Sequence, residues 1–215
     1  MENYIEQKNK KILVFGTIFF FLIGFLSHFI NKMCFNNKIK KIDRLFESES
    51  FITVNNNSTP SELTWNGMEN IGKYMELKDW SKNTFIDLES GNGRTLAYAI
   101  LNGFKEAKGT EIVQARHEYA MKMREKLDDY MKDKIKLSKS DLFKLDPSYF
   151  PTGSVIFISN LVFSEKTNQK LINFLSKNTP SDVIIILSAL PNDLRNFKLI
   201  EQLDLSQSHY VLTKK

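Results

Sequence analysis

The sequence predicts a doubly wound α/β fold, a mostly parallel sheet of seven strands that closes in a C-terminal strand hairpin and is preceded by one transmembrane helix. Three observations carry this expectation. After about residue 60, short β-branched runs alternate with segments of helical period, the pattern of a parallel sheet with crossover helices. The apolar run 84–88 passes directly into a turn holding Gly91 and Gly93 and then into a helix-forming stretch. Far upstream, residues 12–30 are 19 residues without a formal charge.

Residues 1–11 form a short N-terminal tail. The run 12–30 would measure about 28 Å as a helix, close to the thickness of a bilayer core. It exceeds the apolar stretch of a cleaved signal and no small-x-small site follows, so it is expected to stay as a span in contact with membrane lipids. Lys8, Lys10 and Lys11 precede the run, while Lys32, Lys38, Lys40, Lys41 and Arg44 follow it. Positive charge on the C-terminal side predicts a single-pass membrane protein with its catalytic domain in the cytosol, an organellar membrane being the other arrangement. Residues 31–60 read as a polar tether ending at Asn55–Pro60, and residues 61–215 suit one domain.

The net charge of +5 is misleading as a clue to nucleic acid. Residues 1–45 hold eight Lys and Arg against Glu2, Glu6 and Asp43, so the remainder of the chain is balanced. The basic character belongs to the membrane flanks, and the neutral globular part offers no reason to expect a nucleic-acid-binding face. Cys34 is the only cysteine, which excludes an internal disulfide framework and a cysteine metal cluster. His28, His117 and His209 lie far apart, so no metal centre is expected.

Within the domain, residues 64–77 place Met68, Ile71, Tyr74 and Met75 at helical spacing. A strand at 84–88, a helix at 95–102 and a strand at 107–112 follow. Residues 114–132 carry Tyr119, Met123, Leu127, Tyr130 and Met131 as one helical stripe. Strands are expected at 134–137, 154–158 and 182–187, and the closing hairpin pairs 197–205 with 209–213 across Ser206, Gln207 and Ser208.

The chemistry concentrates in Asp87-Leu88-Glu89-Ser90-Gly91-Asn92-Gly93. Glycines in a strand-to-helix turn let backbone approach a ligand, and amides of the first helical turn can meet its polar groups, which makes a cradle for a nucleotide-like cofactor. Leu96 stands where a dinucleotide fold places its third glycine, which disfavours NAD. The absence of a Gly-x4-Gly-Lys-Ser/Thr loop disfavours nucleoside triphosphate hydrolysis. Two acids at strand ends remain, Asp87 and Glu111, the latter placed to accept both hydroxyls of a ribose. A third acid follows the third strand in Ser140-Asp141-Leu142-Phe143.

Taken in order, the Asp87 to Gly93 loop, Gly109-Thr110-Glu111 and Ser140 to Phe143 resemble the successive motifs of class I S-adenosylmethionine-dependent methyltransferases, over roughly residues 60–215. Ser159-Asn160-Leu161-Val162-Phe163 resembles the fourth-strand segment of the non-SET histone lysine methyltransferases of the disruptor-of-telomeric-silencing type, which read Asn-Asn-Phe-Ala-Phe there. Ser61-Glu62-Leu63-Thr64 is similar to the cofactor-covering loop of that family, and membrane-tethered protein-lysine methyltransferases of organelles share the anchor-plus-domain layout. The resemblance implies S-adenosylmethionine as cofactor, held by Glu62, Asp87, Glu89, Ser90, Gly91, Gly93, Glu111, Asp141, Leu142 and Asn160. It implies catalytic roles for Asn160 and Tyr210 and a protein lysine as acceptor. A small-molecule or lipid methyltransferase, or an inactive scaffold of the same fold, is the alternative. The departures are Ser159 for the first Asn, Leu161 for Phe, a missing Tyr-Gly before Glu62, and Glu89 where relatives carry glycine. A glutamate there strains a turn built for glycine and, if it points inward, puts negative charge near the amino-acid end of the cofactor.

Overall fold

The computed structural model describes residues 2–47, 67–69, 80–205 and 207–215, with side chains at 23–46, 67–69, 81–203 and 208–215. The chain divides into two compact units, Met1–Lys41 and Ile42–Lys215. A single helix, α1 (Glu2–Glu47), accounts for the described part of the first unit and opens the second. The expected span 12–30 falls within it, with residues 12–22 outside the described side chains. Among the described residues no helix is long and apolar enough to cross a membrane. The expectation of a single-pass membrane protein in contact with lipid is corrected on that finding.

Helix α1 also continues through residues that composition alone reads as tether. Its last turns belong to the second unit, where Ile42 and Phe46 are buried and the Asp43 carboxylate accepts the Tyr98 hydroxyl. Of the helix expected at 64–77, residues 67–69 are helical with Met68 fully buried, and the rest lies outside the described residues. Glu62 lies outside them too.

The seven expected strands are all present: β1 (Thr84–Leu88), β2 (Glu106–Glu111), β3 (Ile135–Lys139), β4 (Val155–Ile158), β5 (Ile184–Leu187), β6 (Phe197–Leu205) and β7 (Gln207–Lys214). They form one sheet in the order β3-β2-β1-β4-β5-β7-β6. The first five run parallel, and β7 lies antiparallel between β5 and β6. The hairpin ladder slips between Leu199 and Glu201. Strand order reverses between β1 and β4, so the connections after these strands leave in opposite directions and open a crevice at their C-terminal ends.

Four further helices connect the strands: α2 (Arg94–Leu101), α3 (Gln114–Glu125), α4 (Asp129–Lys134) and α5 (Glu165–Asn178). The single helix expected at 114–132 is divided because the Asp128 side chain accepts the Met131 amide and starts a new N-terminus. Helix α5, which the pattern reading passed over, begins at Ser164, whose side chain accepts the Thr167 amide. It buries Leu171, Ile172 and Leu175 on one sheet face with Ile86, Leu88, Ile156, Ile158, Ile185 and Leu187. Each such side chain contributes about 1.5–3 kcal/mol when fully buried. On β1 and β4, alternation sends Phe85 and Phe157 to the other face, where they stack at 6.4 Å. His209 of β7 then stacks on Phe157 at 5.8 Å.

Candidate cofactor and acceptor site

Strand β1 is buried along its whole length, which fixes the loop that leaves it. The amides of Glu89 and Ser90 both donate to the Thr110 carbonyl at 2.9 Å, so the loop turns back over the end of β2. Gly93 donates to the Ser90 carbonyl at 2.8 Å and caps α2 in the left-handed conformation, φ 83°. Gly91 is left-handed too, at φ 53°. Between loop and strand lies Gly109, where an added Cβ would meet Ser90 Oγ and Leu96 Cδ1 at 2.6 Å each. The glycine of Gly109-Thr110-Glu111 is therefore a requirement of packing: only a bare backbone lets the loop lie on β2.

Glu111 ends β2 and anchors this arrangement. Its Oε2 accepts the Gly91 amide at 3.1 Å and its Oε1 accepts the Val113 amide at 2.8 Å, and the residue is 1 % exposed. Asp87 is buried at the end of β1, in register with Gly109 and Phe157. Asp141, half-buried after β3, accepts the Phe143 amide at 3.0 Å and caps a short 3-10 turn, while Leu142 beside it is part of the apolar core. Glu89 is half-buried and holds φ 82°, the left-handed strain anticipated for a side chain at this position. Burial first, then the Glu111 charge, pushes its carboxyl up to about 7; Arg116 opposes the shift and Asp141 adds to it. Its electrostatic neighbours thus come from the ends of β2 and β3 and the start of α3.

The end of β4 is built differently. Asn160 is fully buried; its Nδ2 donates to Asn168 Oδ1 and to the Ala189 carbonyl, and its Oδ1 accepts the Ala189 amide, each at 2.8 Å. One side chain brackets the ends of β4 and β5 and the first turn of α5, and both of its amide protons are committed. Its carbonyl accepts the Phe163 amide at 3.1 Å, closing a turn that leaves Leu161 and Val162 exposed. Tyr210 is half-buried and in register with Leu187. Continued by one residue, that register sets His209 opposite Ser188, whose buried hydroxyl has no hydrogen-bond partner. Thr110, Arg116 and Ser188 were not anticipated; Thr110 acts through its carbonyl and Arg116 through its place on a helix, and neither leaves a mark in residue type. Among the described residues no group of three or more His, Cys, Asp or Glu could hold a metal ion.

An adenosyl ligand requires bare backbone for close approach, carboxylates at the ends of β1 to β3, and polar groups left over to bind it. The loop over Gly109, the acids Asp87, Glu89, Glu111 and Asp141, and the buried, unpartnered Ser90 hydroxyl fit that description. The sheet order, the reversed β7 and this glycine loop are the fold of the class I S-adenosylmethionine-dependent methyltransferases. The family model for the histone methylation protein DOT1 matches residues 35–209, and the chain belongs to that family. No curated protein matches at a significant level.

Solved structures show the same fold. An RNA methyltransferase from Salinibacter ruber in complex with S-adenosyl-L-homocysteine aligns with 21 % identity and a TM-score of 0.52, covering 68 % of this chain and 88 % of its own. The magnesium protoporphyrin IX methyltransferase of Synechocystis PCC 6803, with bound cofactor, aligns with 10 % identity and a TM-score of 0.56, covering 70 % and 79 %. A putative methyltransferase from Escherichia coli gives 15 % identity and a TM-score of 0.54, covering 69 % and 83 %.

Proposed function

We propose that this methyltransferase acts on a lysine side chain of a protein. The observation that carries the reading is the family match across residues 35–209, which includes the β4 turn Ser159–Phe163. The chemistry is compatible with the residues present. The bound cofactor supplies a methyl group already activated on a sulfonium, so no strong acid or base is needed. What the chain must provide is alignment, exclusion of water and a neutral amine. Leu161 and Val162 give the end of β4 an apolar rim, and an apolar rim disfavours the ammonium form of an entering lysine. A neutral acceptor amine held at this rim would take the methyl group from the sulfonium, which would be left as a neutral thioether, and the methylated amine would release its proton to water. Tyr210, on β7 opposite the end of β5, is assigned to orient the acceptor, and Asn160 to hold the turn that carries the rim.

The test is transfer of a tritiated methyl group from S-adenosylmethionine by the full chain to core histones and to a lysine-rich protein mixture. Acid hydrolysis of labelled protein is expected to release methyl-lysine. Label confined to small molecules, or to another amino acid, would overturn the assignment.

A further inference from the structure

At the end of β5 the fold leaves a buried hydroxyl over. Ser188 is 3 % exposed, and among the described residues its Oγ has no hydrogen-bond partner. A buried polar group in that condition lowers stability, so its presence calls for an explanation outside the packing. The backbone that carries it is held on both sides. The Ser188 amide donates to the Ile158 carbonyl at 3.3 Å and extends the β4–β5 ladder by one step. One residue on, the Asn160 side chain grips the amide and the carbonyl of Ala189 at 2.8 Å each. The hydroxyl therefore stands on a rigid mount.

Alternation along the strands decides which way it points. Leu187 packs in the core against α5, so Ser188, next in the extended chain, faces the opposite side of the sheet. Phe85 and Phe157 lie on that side, and Asp87 joins them two residues after Phe85, in register with Phe157. His209 comes to the same side from β7: its ring is 4 % exposed and stacks on Phe157, with the planes 27° apart, and the strand register continued by one residue sets it opposite Ser188. Tyr210, opposite Leu187, belongs to the α5 side, so its part in orienting the acceptor is the lesser one. We propose that Ser188 is the acceptor-orienting residue: its Oγ accepts one N–H of the acceptor amine, the stacked Phe157 and His209 rings shield the amine from water, and the nitrogen lone pair is left to face the methyl group. An amine entering an apolar site loses its hydrogen bonds to water, and one fixed acceptor converts that need into alignment. Asn160 then acts through Ser188, as a positioning residue. The inference deepens the lysine reading and rests on it.

Three measurements on the full chain test it: tritiated methyl transfer from S-adenosylmethionine to core histones, calorimetry with S-adenosylhomocysteine, and a melting curve. In Ser188→Ala, kcat/KM for the histones is expected to fall about tenfold, while affinity for S-adenosylhomocysteine stays within about twofold. The melting temperature should be no lower than that of the wild type, because the hydroxyl has no partner in the fold to lose. A serine with a merely structural role would show the reverse, a lower melting temperature. An unchanged kcat/KM, or a loss that comes with a lower melting temperature or weakened S-adenosylhomocysteine binding, overturns the assignment of Ser188 and leaves the lysine reading intact. A wild-type chain that labels no histone lysine overturns both.

Discussion

The ends of β1 and β2 and the ends of β4 and β5 lie along one edge of the sheet, yet they are made in opposite ways. At the first, left-handed residues and a bare Gly109 hold a backbone loop, and Glu111 fastens it by accepting the Gly91 and Val113 amides. At the second, one buried side chain, Asn160, spends both of its donors and one acceptor position on neighbouring elements. The difference teaches where change is tolerated: a loop held by main-chain geometry can exchange a side chain such as Glu89 for glycine, whereas a bracket held by one amide cannot lose that amide.

The strongest way to break the comparison is Asn160→Ala. It strands the Ala189 amide and carbonyl and the Asn168 side chain, so stability should fall by about 3 kcal/mol or more in urea unfolding. A variant as stable as the wild type but slow in methyl transfer would return Asn160 to a direct role at the acceptor. Next comes Gly109→Ala, where an added Cβ meets two neighbours at 2.6 Å each. It should cost about 1–3 kcal/mol and weaken binding of S-adenosylhomocysteine through displacement of the loop. Unchanged affinity would show that the loop does not need β2 beneath it.

A smaller effect sharpens the account of Glu89. Its folded carboxyl holds a proton up to about 7, against 4.5 for an ordinary glutamate. The native state therefore binds the proton more tightly than the unfolded one, so the stability contributed is complete below about 4.5 and is lost as pH rises to about 7. Glu89→Gln should lack that slope in urea midpoints measured from pH 4 to 8. Parallel curves for the two proteins would place the carboxyl in water. The smallest expected effect is that of Tyr210→Phe, with methyl transfer slowed about fivefold, about 1 kcal/mol, and cofactor affinity retained. A loss of affinity in place of rate would move Tyr210 to the cofactor side.

Much of the first region was legible in the sequence because its devices are residue types: glycines, acids and an apolar strand in fixed order. The strand boundaries followed from the same β-branched runs, to within one or two residues. What pattern reading could not supply was direction. Glu89 was recognised as a departure, but only the backbone conformation shows its side chain beside Glu111, Asp141 and Arg116. Asn160 was given a catalytic and cofactor role by resemblance, but its partners Asn168 and Ala189 come from elements that only the sheet brings together. The division between α3 and α4 was missed because one apolar stripe runs through both, and the Asp128 cap outweighs the stripe locally. The expected membrane span at 12–30 is corrected because among the described residues no helix is long and apolar enough to cross a membrane.

The slip in the hairpin between Leu199 and Glu201 has a consequence for encounters between molecules. Strand β6 is an outer strand of the sheet and exposes Leu199 and Ile200. A flat apolar margin of that kind invites another chain to pair with it and to seed fibrils. Here the irregular register interrupts the run of evenly spaced donors and acceptors, and the exposed Lys198 and Glu201 bracket the two apolar residues with charge. An incoming strand finds no uninterrupted ladder to join, so the slip acts as protection against templated aggregation.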